Sequence, residues 1–261
     1  MSVKKISIIT PSYNQVNFLK ETVESVSSQL VDLESEHIII DGGSTDGSVD
    51  FLKSTGNKVT WISEKDKGQA DAVNKGIRLA TGDIIGWLNS DDLYLPGALQ
   101  AVADHFRDHP GCRWAYGRCI IIDTAGRERW KWITRYKNAR LKHYTFEKLL
   151  RENFISQPAV FFRKDIFEEA GLLDLNLHYA MDYDLWLRFA LISPAGVIKR
   201  DLASFRRHGS SKSETGFRDQ FFEQYAVALN YNPSLSSRLV HRFNIFKIII
   251  SYRIIGLFSR F

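Results

Sequence analysis

Short apolar runs alternate with amphipathic stretches along the first ninety or so residues. Ile6-Ser7-Ile8-Ile9, Ile38-Ile39-Ile40, Val59-Thr60-Trp61-Ile62 and Ile84-Ile85-Gly86-Trp87-Leu88 are too short for ordinary helices and rich in β-branched residues. They predict buried strands near 4–10, 36–40, 59–62 and 84–88. Between them the period changes to that of a helix, from Gln15 to about Leu30, from Ser48 to Ser54, and from Gly68 to Ala80, where Ala70, Val73, Ile77 and Ala80 share a face. This alternation predicts an α/β fold, a mostly parallel sheet flanked by helices with right-handed crossovers. Such sheets collect ligands at the carboxyl ends of their strands, so the loops after Ile9, Ile40, Ile62 and Leu88 should converge on one crevice. From Gly111 onward the pattern is less regular: a strand Trp114 to Asp123, an aromatic-basic stretch Trp130 to Tyr144, a strand Ala159 to Arg163 and a helix around Asp182 to Leu191.

Composition adds bounds rather than detail. At 261 residues, 44% hydrophobic and 25% charged, the chain is long enough for a full core in one large domain. Cys112 and Cys119 have no second Cys or His pair at metal spacing, so neither a disulfide framework nor a zinc site is expected and a reducing, cytoplasmic setting is preferred. Met1-Ser2-Val3-Lys4-Lys5 leads into a short apolar run that soon meets Pro11, which predicts a first strand and not a secretory leader.

The net charge of +5 is partly a property of the tail: no acidic residue follows Glu223, whereas Arg238, Arg242, Lys247, Arg253 and Arg260 punctuate an apolar run. Lys247 and Arg253 interrupt that run too often for a comfortable membrane span of about 20 apolar residues. Two readings remain, a helix lying on anionic lipid at the inner face of the plasma membrane, and a core-packing or dimerising helix. Nucleic acid is not an expected partner, since only Lys131 to His143 offers basic residues interleaved with aromatics.

The candidate chemistry lies in the loops. Asn89-Ser90-Asp91-Asp92 ends the Ile84 strand, and carboxylates crowded there repel unless a cation or hydrogen-bond donors intervene. Asp41-Gly42-Gly43-Ser44-Thr45-Asp46 ends the second strand; Asp41 can accept from a pyrimidine ring N–H or cap the next helix, and capping is assigned to Asp46. Asp66-Lys67-Gly68-Gln69 precedes a helix, whose free N–H groups suit anionic or polar ligands. Asp71 and Asn74 share a helix face and are read as structural, with Asn74 tying loops together.

Taken together, Thr10-Pro11-Ser12-Tyr13-Asn14, the Asp41 and Asp66 motifs and Ser90-Asp91-Asp92 resemble the family 2 glycosyltransferases over about residues 4 to 210. The resemblance implies a GT-A fold, a nucleoside-diphosphate sugar donor with UDP or dTDP favoured, Mn²⁺ or Mg²⁺, and inversion at the anomeric carbon. It implies nucleotide contacts from Thr10, Pro11, Ser12, Tyr13, Asp41, Asp66 and Gln69. Asp91 aligns as the metal ligand, with Asp92 supporting it or capping the helix near Pro96. Asn89 and Ser90 stand where relatives carry an acid, and would have to meet the ribose without charge. Asp182, in Met181-Asp182-Tyr183-Asp184, matches the base that deprotonates the acceptor hydroxyl, with Asp184 as runner-up. Arg206-Arg207-His208-Gly209-Ser210-Ser211 resembles a late family segment, which makes His208 either a metal or diphosphate contact or a structural hydrogen-bonder; Arg206, Arg207 and Lys212 read either as a phosphate clamp or as a solvated charge run. Gln157 resembles an acceptor-side wall; Trp186, with Trp130 and Trp132, could stack on sugars or fill the core.

The expected protein is a metal-dependent inverting hexosyltransferase acting on a glycan or lipid-linked acceptor in cell-surface polysaccharide synthesis. Residues 1–110 form its nucleotide half, 111–215 its acceptor half and 216–261 a helical basic tail in peripheral membrane contact. The alternative is a non-catalytic nucleotide-sugar-binding module, suggested by the missing acids at Asn89, Ser90 and Met181.

Overall fold

The computed structural model describes residues 3–29, 31–141, 144–209, 211–212 and 216–258, the last eight and residue 217 by backbone alone. Lys142 and His143 of the aromatic-basic stretch, Ser210 of the late motif and Arg260 of the tail lie outside the described residues.

The expected alternation is present: β1 (Lys5–Ser12), α1 (Val16–Ser27), β2 (Glu34–Asp41), α2 (Ser48–Ser54), β3 (Thr60–Ser63), α3 (Gln69–Leu79) and β4 (Ile84–Trp87). Then come β5 (Leu93–Tyr94), α4 (Ala98–Asp108), β6 (Trp114–Ile122), α5 (Lys131–Leu141), α6 (Phe146–Arg151), β7 (Val160–Arg163), α7 (Ile166–Ala170), α8 (Met181–Ile192) and β8 (Gly196–Arg206). Among the described residues two further long helices follow, α9 (Phe217–Leu229) and α10 (Leu235–Phe258). Strands β5 and β8 were not foreseen, and the aromatic-basic stretch resolves into α5.

All eight strands form one sheet in the order β3-β2-β1-β4-β7-β6-β8-β5. Strands β1 to β4 are mutually parallel, β7 runs antiparallel between β4 and β6, β8 is parallel to β6, and β5 is antiparallel to β8. Every strand except β7 and β5 therefore points the same way. One edge thus receives the residues following β1, β2, β3, β4, β6 and β8, together with those entering β7.

Central strands are buried on both faces, as helices on each side require. Residues alternate between two cores: Ile8, Ile84 and Phe161 pack with Leu99, Val102 and Phe106, while Ile9, Ile40, Ile85 and Phe162 pack with Val73, Ile77 and the α8 aromatics. Helix α3 lies so close to β1 that a Cβ at Gly76 would overlap the Ile9 side chain, and only glycine permits that approach.

Candidate active site

The loop after β4 stands at the centre of that edge, and its four polar residues do different work. Asp92 is completely buried; its carboxylate accepts from the Arg206 backbone N–H at 2.9 Å and from Asn89 Nδ2 at 3.3 Å, joining this loop to the end of β8. Burial, with the Asp91 charge beside it, pushes the Asp92 carboxyl well above the ordinary carboxylate range. It does not cap α4, whose N-cap position is Gly97. Asn89 is spent within the protein: Oδ1 accepts from Gln69 Nε2 at 2.7 Å and Trp87 Nε1 at 2.9 Å, and Nδ2 donates to Gln157 Oε1 at 2.9 Å as well as to Asp92. Ser90, also buried, donates to Gln15 Oε1 at 2.5 Å. The two residues standing in place of a family acid thus brace the loop, and their side chains are not open to a ribose.

Asp91 is the member of the quartet turned outward. Its Oδ2 lies 2.9 Å from His208 Nε2 and 3.4 Å from Gln15 Nε2, with the carboxylate 14% and the imidazole 5% exposed. The pairing follows from topology, because β8 and β4 end at the same edge and His208 comes two residues after β8. Arg206 fixes the approach. Its guanidinium is fully buried, donates to the carbonyl oxygens of Asp91 at 2.9 Å and Thr124 at 3.0 Å, pairs with Glu21 at 2.6 Å and stacks on Phe18. Arg206 is therefore an internal brace and not a phosphate clamp. Arg207 lies over the Trp130 ring, 4.6 Å from its centroid, and Lys212 Nζ reaches the His178 carbonyl at 3.4 Å.

Asp91 and His208 offer one carboxylate oxygen and one imidazole nitrogen, donor atoms compatible with a divalent cation. Two cis ligands on an octahedral ion with bonds of about 2.1 Å sit roughly 3 Å apart, and the Asp91 and His208 atoms are separated by 2.9 Å. A cation there would replace the N–H···O bond, with Nε2 giving up its hydrogen. No group of three or more His, Cys, Asp or Glu able to hold a metal occurs among the described residues, so the remaining ligands would come from substrate phosphates and water.

The loops beyond β1, β2 and β3 form a second wall. Thr10 and Pro11 are buried, with Thr10 Oγ1 2.8 Å from His37 Nε2; burial holds that imidazole down at about 3, hence neutral. Ser12 is buried, whereas Tyr13 is 63% exposed at the rim. Asp41 is completely buried and accepts from Gly43 N at 3.1 Å, Ser44 N at 2.9 Å, Ser44 Oγ at 2.5 Å and Ser63 Oγ at 2.6 Å. Those four bonds hold its own loop to β3. Asp66 is more open: Oδ1 accepts from Gly68 N at 2.8 Å, and Oδ2 faces Gly42, where a Cβ would come within 2.8 Å of it. Asp46 accepts from Ser48 N at 3.0 Å at the start of α2 and from Val16 N at 2.8 Å at the start of α1, the capping role expected of it. Asn74 exchanges two 2.9 Å hydrogen bonds with the Leu173 backbone, tying α3 to the loop before α8 as expected.

Asp182 opens α8 and accepts from the Tyr183 N–H at 2.7 Å. Burial pushes its carboxyl from 3.8 up to about 6; the Tyr183 amide and Lys137 oppose the rise, and Glu223 adds to it. Lys137, on α5, lies within electrostatic range of both Asp182 and Arg207 and approaches Ser156 Oγ at 3.4 Å. Glu223 on α9 accepts from Tyr179 N and Ala180 N, both at 2.5 Å, clasping the turn that delivers Asp182. Asp184 pairs with Arg188 at 2.8 Å one turn along the helix, a structural role. Gln157 bonds Asn89 and donates to the Trp87 carbonyl oxygen at 2.5 Å, so it props the β4 loop instead of walling an acceptor. Trp186 is wholly buried, stacked 9° from parallel on Trp114 and packed against Phe162 and Phe189; it is core and touches no sugar. Trp132 is 56% exposed and, with Trp130 and Arg135, lines an open recess of about 550 Å³ beside Arg207.

Sequence reasoning missed Gln15, Lys137 and Glu223. Gln15 was detectable by position alone, since it follows β1 at the ligand-bearing edge. The other two carried no spacing signal.

The model of glycosyl transferase family 2 matches residues 7–171. The chain belongs to that family. Among its relatives, a glycosyltransferase of Mycobacterium tuberculosis without assigned function is 30% identical over 212 residues, 80% of this chain and 77% of that one. A PGL/p-HBAD biosynthesis glycosyltransferase of Mycobacterium bovis is 29% identical over 193 residues, 72% of this chain and 70% of its own length. The fold is shared with Staphylococcus aureus TarS residues 1–349 in complex with UDP-GlcNAc (TM-score 0.67, 17% identity, 86% of this chain, 66% of that one). It is shared also with a Pyrobaculum calidifontis mannosyltransferase in complex with GDP-Man and Mn²⁺ (TM-score 0.64, 18% identity, 92% and 69%). The chain spans 38% of the longer TarS chain. The architecture is that of a GT-A glycosyltransferase, as the motifs implied.

Proposed function

We propose that this family 2 glycosyltransferase moves a sugar from a nucleoside diphosphate to a hydroxyl of a glycan or lipid-linked acceptor, with inversion and with Mn²⁺ or Mg²⁺. The observation that carries the reading is the 2.9 Å approach of Asp91 to His208 at the edge where the Asp66 and Tyr13 loops also end. When bound, the cation would neutralise charge on the departing diphosphate. Asp91 and His208 would hold it, and Arg206 and Asp92 keep that pair in register.

Asp66, less buried than Asp41, is the carboxylate better placed to accept the single ring N–H of uracil or thymine. That favours UDP or dTDP. Asp182 accepts the proton as the acceptor oxygen bonds to the anomeric carbon and the bond from that carbon to the diphosphate oxygen breaks. A carboxyl titrating at about 6 is ionised at neutral pH yet basic enough to take a proton. The recess beside Arg207, lined by Trp130 and Trp132, suits a sugar-bearing acceptor. The reading of a glycan or lipid-linked acceptor draws support from the mycobacterial relative named for PGL/p-HBAD biosynthesis.

The test is a panel of UDP, dTDP and GDP sugars screened for transfer to lipid-linked and glycan acceptors with Mn²⁺, followed by Asp182→Asn. Turnover from a UDP or dTDP sugar that falls at least a hundredfold in the variant is the expected result. Full activity in Asp182→Asn would remove that residue from the reaction.

A further inference from the structure

Helix α10 is docked the wrong way round for a helix whose surroundings are only water and its own domain. Its inward face is largely polar. Ser237 and His241 are at most 4% exposed and Asn244 is 7% exposed; they bond to α6 through Arg151 Nε at 2.8 Å, the Leu150 carbonyl at 2.7 Å and the Arg151 carbonyl at 3.1 Å. Its outward face is apolar, with Leu235 73%, Leu239 57%, Phe243 59%, Phe246 61% and Ile250 38% exposed. At about 100° per residue these five fall within an arc of about 80°, diametrically opposite the buried polar face. A water-facing helix ordinarily shows the reverse arrangement, and a contiguous exposed stripe of this kind marks a contact surface.

The charges around the stripe select the occupant. Arg238 and Arg242 are exposed along one margin and Lys247 along the other, its ammonium over the Phe243 ring. Residues 224–261 contain no Asp or Glu. Two copies of this face brought together in a dimer would oppose like charges with no acid between them. Anionic headgroups complement the charges while the acyl region takes the aromatic stripe. No helix among the described residues is long and apolar enough to cross a membrane, so the contact is lateral.

We propose that the α10 face formed by Leu235, Leu239, Phe243, Phe246 and Ile250, edged by Arg238, Arg242 and Lys247, is a docking surface for an anionic lipid bilayer. This rests on the geometry of α10 alone and stands whether or not the catalytic reading does. It would bring the enzyme to the surface on which a lipid-linked acceptor resides.

Co-sedimentation of the full chain with phosphatidylcholine vesicles, with and without 30% phosphatidylglycerol, tests it alongside light scattering of the free protein. Binding to the anionic vesicles only, by a monomer, is expected. Arg238→Gln with Arg242→Gln should weaken it on the order of thirtyfold, at about fivefold for each charge lost near an anionic surface. Phe243→Glu with Phe246→Glu should abolish it while both variants keep the wild-type melting temperature. No binding, or equal binding to neutral vesicles, overturns the proposal. So does a wild-type dimer that Phe243→Glu with Phe246→Glu converts to monomer, which would assign the stripe to a second copy.

Discussion

Replacing Asp182 by Asn should inactivate the enzyme and stabilise the protein at the same time. The carboxyl is held at about 6, against 3.8 when free. Between those values the folded chain keeps a proton that the unfolded chain has released, so folding stability declines as pH rises from about 4 to 6 and stays lower above it. At about 1.4 kcal/mol per pH unit, ionised Asp182 costs the fold about 3 kcal/mol at neutral pH, an upper figure because the side chain retains some solvent contact. Asn carries no charge to desolvate. At a few degrees per kcal/mol, Asp182→Asn should melt roughly 5–10 °C above wild type at pH 7.5, with the gap closing towards pH 4. Differential scanning calorimetry across that range, with transfer assays on the same samples, supplies both readouts. Wild-type turnover should rise with pH through about 6 as the base ionises. A variant that melts below wild type at pH 7.5, or a gap that does not change with pH, would refute the reasoning that burial of an ionised base sets this cost.

Other substitutions follow from the same geometry. Asp66→Ala should weaken nucleotide binding on the order of 10- to 100-fold by calorimetry, the worth of a hydrogen bond to a charged group, with folding unchanged. Asn74→Ala deletes both bonds to the Leu173 backbone in a buried setting and should lower the urea-derived stability by about 2–4 kcal/mol, with little change in the residual site's affinity for donor. Gly86→Ala would place a Cβ 2.5 Å from Tyr94 Oη and 2.7 Å from Phe161, and overpacking of that kind should cost about 1–3 kcal/mol in the same measurement.

Residues 1–90 were legible because each strand there carries a short, mostly apolar run and the helices between them are amphipathic, so period alone identifies them. Strand β8 was not, because Lys199-Arg200-Asp201 interrupts it where the β6–β8 register shifts. The chemistry was legible where it is local in sequence. Asp46 and Asn74 could be assigned from neighbouring residues, and their hydrogen bonds agree. Roles set by distant partners could not. Asn89 is saturated partly by Gln157, 68 residues away, through an antiparallel strand inserted beside β4. Asp41 is tied to Ser63 of the next strand, and Arg206 is drawn inside by Glu21, 185 residues earlier. The orientation of α10 was equally hidden, since its apolar and polar residues would permit either face inward; only its bonds to α6 settle which.

The most direct measurement is isothermal titration of UDP or dTDP into wild type and into Asp91→Asn, each with Mn²⁺ and with chelator. Expected are weak binding of Mn²⁺ alone, nucleotide affinity at least tenfold higher with Mn²⁺ in wild type, and no effect of Mn²⁺ in the variant. Equal nucleotide affinity with Mn²⁺ and with chelator in wild type would contradict a cation shared between Asp91, His208 and the diphosphate.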